Sequence, residues 1–159
     1  MSNKNFFEFN FESLKFFLSK DLQIEDKKIL MRSKQIWQSV YKKGSFQINN
    51  LTTFPLELRN KLESLISLER PQIIKTQTSN DGTIKWLIKL FDGNEVECVY
   101  IPEKSRATLC ISSQVGCTLN CRFCHTGTQR LVKNLSFTEI VNQVMIAKEQ
   151  INDWGEQKK

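Results

Sequence analysis

Three stretches with apolar residues at helical spacing open the chain. Asn10 stands just ahead of Phe11, Leu14, Phe17 and Leu18, which share one helix face that the asparagine is placed to cap. Ile29, Ser33, Ile36, Trp37, Val40 and Tyr41 repeat the pattern in a longer helix, stopped by Gly44 after Lys42 and Lys43. Pro55 then sits where a first turn tolerates proline, ahead of Leu58, Leu62, Leu65 and Ile66, and Pro71 closes the segment. Short amphipathic helices of this kind must pack on one another or on a partner, so the aromatic residues near the start are expected to be core.

The period then falls to two. Ile73–Thr78, Thr83–Leu90 and Glu95–Ile101 are separated by "NDG" and "DGN", which predicts a three-stranded antiparallel meander. Ile84, Trp86, Ile88 and Leu90 alternate with Lys85, Leu87 and Lys89. In the last strand Val96, Cys98 and Tyr100 share one face, and Glu95, Glu97, Val99 and Ile101 the other. Cys98 is expected to pack as a small apolar residue.

After "IPEKSR" the pattern changes again. "ATLCISS" reads as a buried strand, a cysteine-rich loop comes next, and "SFTEIVNQVMIAKEQI" is a helix. Ser136 and Glu139 have capping-box spacing, and Ile140, Val141, Val144, Ala147 and Ile151 are predicted to form the inner face. Strand, loop and helix in that order open a βα repeat, which needs further strands to bury it.

At 159 residues the chain is long enough to bury a core without disulfides. The 23 Lys+Arg against 17 Asp+Glu give a net charge of +6, which favours an acidic partner such as nucleic acid. Between Lys104 and Thr138 there is no acidic residue, while Lys104, Arg106, Arg122, Arg130 and Lys133 are basic, so an anionic RNA would meet a favourable field there. No signal peptide and no apolar run of bilayer length is present, so a cytoplasmic protein without membrane contact is expected, its thiols reduced.

Four of the five cysteines and the only histidine fall between Cys110 and Gly127. Cys117, Cys121 and Cys124 have the spacing C-x3-C-x2-C, and three thiolates on one short loop suit a soft-metal centre. A structural zinc site would want four ligands, usually in two separated pairs. Three thiolates on a four-iron cluster instead leave one iron open to another ligand.

This spacing, with Phe123 just before the last cysteine, resembles the cluster loop of the radical S-adenosylmethionine enzymes. The longer string "RATLCISSQVGCTLNCRFCHTGTQRLVKNLSFTEIVNQV" is similar to the RlmN/Cfr family, the adenosine C2-methyltransferases of 23S rRNA and tRNA and their C8-methylating relatives. The likeness is strong from Val96 to Val144 and looser back through "FPLELRNKLE". It implies an α+β amino-terminal portion, with a small helical accessory domain (1–71) and an antiparallel β-meander (72–104). The first βα unit of a truncated radical S-adenosylmethionine (β/α) partial barrel (105–159) would come after it.

By the same resemblance, Cys117, Cys121 and Cys124 would hold a 4Fe-4S cluster whose open iron chelates S-adenosylmethionine. A deoxyadenosyl radical would then abstract hydrogen from a methyl group already carried on a cysteine. Cys110 matches the thiol that resolves the covalent protein–RNA intermediate through a transient disulfide, and Glu97 matches the acceptor of the adenine C2 proton. His125 matches a variable loop position. The implied partners are 23S rRNA, tRNA and an external electron donor. The family's methyl-carrying cysteine and most of its barrel have no counterpart in these 159 residues. The chain alone is therefore expected to be inactive, either as a truncated or split gene product or with a second polypeptide supplying the rest. The competing expectation is a non-catalytic RNA-binding or zinc-binding remnant.

Overall fold

In the computed structural model, which describes residues 3–118 and 129–154, the first helix starts where its cap predicts. The Asn10 side chain accepts the Ser13 N–H at 2.8 Å at the head of α1 (Phe11–Lys20), which buries Leu14, Phe17 and Leu18. Helix α2 (Asp26–Tyr41) buries Ser33, Ile36 and Val40. Ser33 is tolerated there because its hydroxyl donates to the Ile29 carbonyl at 2.8 Å. Past α2 the chain turns at Gly44 with φ +68°, and a Cβ there would overlap the Trp154 ring.

Helix α3 (Leu56–Glu63) buries Leu62 but stops before Leu65 and Ile66, the end of the predicted stripe. The Ser64 hydroxyl donates to the Lys61 carbonyl at 2.8 Å, and Ile66 is taken by a strand instead. Strand β1 (Lys4–Asn5) pairs in parallel with β2 (Ile66–Ser67). The aromatic residues near the start are core with one exception: Phe6, Phe7, Phe9 and Phe17 are buried and Phe11 half-buried, whereas Phe16 is 65% exposed, and Phe6, Trp37 and Tyr41 meet with ring centroids 4.6–6.1 Å apart.

The chain divides into two compact units, Met1–Glu69 with Lys148–Lys159, and Arg70–Ala147. The second is built on a sheet of order β3-β4-β5-β6, comprising β3 (Gln72–Thr78), β4 (Ile84–Lys89), β5 (Glu95–Pro102) and β6 (Ala107–Cys110). Every neighbouring pair is antiparallel. The meander therefore has four strands rather than three. The residues "EKSR" make a tight turn, with the Glu103 N–H donating to the Arg106 carbonyl at 2.8 Å, and this folds "ATLC" back onto β5.

That strand is not buried as predicted: Ala107, Thr108 and Cys110 are exposed. A short apolar run does not by itself distinguish a covered strand from one at a sheet margin. Trp86, Ile88, Val96 and Cys98 are the buried face of the sheet, each at most 4% exposed.

Helix α4 (Phe137–Gln150) opens with the predicted capping box. The Ser136 N–H donates to Glu139 Oε2 at 2.7 Å and the Glu139 N–H to Ser136 Oγ at 3.3 Å. Its inner face differs from expectation. Asn142, Gln143, Met145, Ile146 and Ala147 are buried, whereas Ile140, Val141, Val144 and Ile151 are half-buried. A hydrophobic count places Gln143 outside, yet hydrogen bonds to the chain beyond β6 draw it in. Among the described residues no helix is long and apolar enough to cross a membrane.

Candidate functional site

The register of the sheet decides which side chains share its open face. Lys85 on β4 and Cys110 on β6 both lie opposite Val99 on β5, so the three form one row. Glu97 lies opposite Leu87 in the next row. Side chains directly opposite one another point the same way, so Glu97 and Cys110 stand on one face as diagonal neighbours. Cys98, between Glu97 and Val99, points the other way and is 0% exposed.

The two faces make different thiols. Burial, and secondarily the charge of Cys110, pushes the Cys98 thiol up to about 11, so it stays protonated and packs as an apolar group. Cys110 is exposed. Beside it, Lys85 Nζ lies 2.9 Å from Glu97 Oε1. Lys75, Gln77, Lys85, Leu87 and Glu97 line a hollow of about 300 Å³, the lower end of the size range of small-molecule sites.

Beyond Cys110 the chain is held by side chains. The Ser112 hydroxyl donates to the Glu97 carbonyl at 2.8 Å, and the Ser112 N–H donates to Gln143 Oε1 at 2.8 Å. Strand β7 (Gln114–Val115) then pairs antiparallel with β8 (Lys133–Asn134). Cys117 bridges to Arg130, and its N–H donates to the Gln129 carbonyl at 3.2 Å. These contacts form a neck that closes the base of the cysteine loop. Gly116, at φ +77°, fits this neck because a Cβ would collide with the Arg130 carbonyl.

Lys133 ties the neck to its surroundings through ion pairs with Asp92 in the β4–β5 turn and with Glu139 on α4. Its hydrogen bond, joined by those from Asn94, lowers the Asp92 carboxyl to about 2. Burial pushes the Glu139 carboxyl up, but Lys133 and Ser136 together outweigh it, and the net shift is downward.

Of the predicted site residues, Glu97, Cys110 and Cys117 are placed. Cys121, Cys124 and His125 lie outside the described residues. Among the described residues no group of three His, Cys, Asp or Glu is arranged to hold a metal. The described part is compatible with an iron-sulfur group in its donor chemistry alone. One thiol stands at a closed neck, and two more come within seven residues of it in sequence.

Among the described residues the predicted basic field is weaker than its residue count, and Arg122 lies outside them. Arg106 Nε is bound to Glu103 Oε2 at 2.8 Å and Lys133 is spent on two carboxylates. Lys104 and Arg130 remain exposed.

Sequence reasoning missed Lys85, Ser112, Gly116 and Gln143. Lys85 carried a signal in its alternation with apolar neighbours. Gly116 carried one in preceding the first thiol of the triplet. Ser112 and Gln143 carried none, because their importance lies in bonds between distant segments.

No family model matches the chain. It is 48% identical over 142 residues, 86% of its length and 35% of the relative's, to the dual-specificity RNA methyltransferase RlmN of Bradyrhizobium sp. (strain ORS 278). It is 52% identical over 130 residues, 78% of its length, to the protein of the same name in Rhodopseudomonas palustris (strain BisB5), of which it covers 33%. The chain thus spans about a third of the length of these curated relatives. A radical SAM methyltransferase from Sphaerobacter thermophilus matches with a TM-score of 0.81 at 29% identity, over 96% of this chain and 44% of that one. On this likeness the chain belongs to the RlmN family of radical S-adenosylmethionine methyltransferases, and it corresponds to their amino-terminal portion.

Proposed function

We propose that the chain carries the cluster loop and part of the reactive face of an RNA methyltransferase acting at C2 of adenosine in 23S rRNA and tRNA. The observation that carries the reading is the placement of Glu97 and Cys110 on one open face of the sheet, a short run of chain from the neck at Cys117. Cys117, Cys121 and Cys124 would hold a 4Fe-4S cluster, leaving one iron for S-adenosylmethionine.

When bound, this pair supplies the one-electron chemistry that an adenine C2 carbon needs, because that carbon offers no nucleophile to a methyl cation. The chain's own residues then have separate tasks. Glu97 takes the C2 proton onto its carboxylate, and Lys85, already 2.9 Å away, stands as its counter-charge. Cys110, exposed on the same face, serves as the resolving thiol in its thiolate form. Lys75 and Gln77 at the hollow, with exposed Lys104 and Arg130, face the RNA.

We assign residues 105–159 to the start of a (β/α) partial barrel, residues 72–104 to a β-meander that leads into it, and residues 1–71 to an accessory domain. Partner reductant, remaining barrel and methyl-carrying cysteine would come from elsewhere in a cytoplasmic assembly. This stretch by itself is then inactive, and turnover of adenosine to 2-methyladenosine by the purified chain under anaerobic reducing conditions would refute that part.

Anaerobic reconstitution with iron and sulfide tests the central reading. The expected product is brown, binds about four irons per chain, and loses them on Cys117→Ala. A colourless chain holding a single zinc and no iron would overturn the reading in favour of a zinc-binding remnant.

A further inference from the structure

Gln143 is 0% exposed, yet its side chain is bonded throughout. Oε1 accepts the Ser112 N–H at 2.8 Å, while Nε2 donates to the Ser112 carbonyl at 2.9 Å and to the Glu139 carbonyl at 3.2 Å. Paired bonds to the N–H and C=O of one residue are the pattern a neighbouring antiparallel strand would give. One side chain of α4 thus continues the ladder for a single residue just beyond the end of β6. The same Ser112 reaches the other way, its hydroxyl donating to the Glu97 carbonyl at 2.8 Å.

The chain of contacts therefore runs from α4 to Ser112 and on to the backbone of Glu97, with Ser112 two residues after Cys110. An apolar side chain is the default at a buried helix position, and a buried amide is costly unless every bond is made. Here they are made, all to backbone groups, so the network fixes geometry. The strands alone set the Cα positions of Glu97 and Cys110, but β6 ends at Cys110, and a strand end frays unless the residues just beyond it are held.

We propose that Gln143, acting through Ser112, is a positioning residue that sets the spacing between the carboxylate of Glu97 and the thiol of Cys110. The proposal rests on the methyltransferase reading for the roles of those two groups. Gln143 itself, buried beneath the sheet's continuation, touches no substrate.

The test reads spacing directly. In a chain carrying Glu97→Cys, with Cys98, Cys117, Cys121 and Cys124 changed to alanine, dibromobimane fluoresces only on bridging position 97 to Cys110. Adding Gln143→Leu or Ser112→Ala is expected to slow bridging by about tenfold, for a displacement of less than the ångström that costs about a hundredfold in proximity-controlled reactions. Gln143→Glu keeps the acceptor for the Ser112 N–H and should fall between. Alkylation of Cys110 by iodoacetamide should be unchanged, which separates spacing from exposure.

If Gln143→Leu fails to fold by circular dichroism, Ser112→Ala decides, since it removes one hydroxyl. An unchanged bridging rate in Ser112→Ala, or no bridging in the parent chain, would overturn the proposal. Failure of the methyltransferase reading would appear instead as zinc in place of iron in the unmodified chain, whatever the bridging rates.

Discussion

The two units use their side chains in opposite ways. In Met1–Glu69 a set of large residues is turned fully inward, Phe6, Phe7, Leu14, Leu18, Ile36 and Leu62 each being 0% exposed, and the unit contains no cysteine. In Arg70–Ala147 one sheet face is packed with Trp86, Ile88 and Cys98, while the other keeps Lys85, Glu97 and Cys110 in the open. All five cysteines belong to this second unit. A two-faced sheet can hold chemistry and stability at neighbouring positions of one strand, whereas most rings of the first unit are spent on packing.

The largest effect should come from breaking that division. Phe6→Ala is expected to cost about 3–5 kcal/mol in urea denaturation while leaving iron loading of the folded chain intact. Cys117→Ser should do the reverse, moving stability by less than about 0.5 kcal/mol and abolishing iron uptake. Loss of iron loading in folded Phe6→Ala would break the comparison.

Two glycines sharpen it next. Gly44→Ala combines a left-handed φ with overlap on Trp154 and should cost about 3 kcal/mol. Gly93→Ala, at φ +86° with nothing within 4 Å of a new Cβ, should cost only about 1 kcal/mol. Thermal melts of the two variants give the ordering. In the second unit, Ser136→Ala removes one arm of the capping box and should lower stability by about 1 kcal/mol, measured in urea.

The smallest effect is electrostatic. The Asp92 carboxyl is lowered from 3.8 to about 2, so its contribution is full above pH 3.8 and disappears as pH falls through about 2. Asp92 is 37% exposed, and solvent screening limits the gain to less than about 1 kcal/mol. Urea midpoints at pH 5 and pH 2 should therefore converge slightly in Lys133→Met relative to the parent, most visibly at low salt.

Much of this was legible in the sequence because it is local. Asn10, Ser136 and Glu139 act within one helical turn, and the "NDG" and "DGN" turns act within one hairpin. The illegible part depends on distant pairing. Nothing near "ATLC" says that β5 will take it as a fourth antiparallel strand, and nothing in "IVNQVM" says that Gln143 outranks Val144 for the interior. The reactive face was half legible: alternation put Glu97 opposite Cys98 in orientation, but only the register of β6 brought Cys110 alongside it. The cysteine triplet was plain in sequence, and of its members the structure adds the placement of Cys117 at the neck.

Cys98 also gives the molecule an internal clock. Its thiol is shut in the sheet core and held protonated, so a thiol reagent reaches it only when that core opens. Under native conditions its labelling rate then counts openings of the second unit, on the same strand that presents Glu97 to the outside.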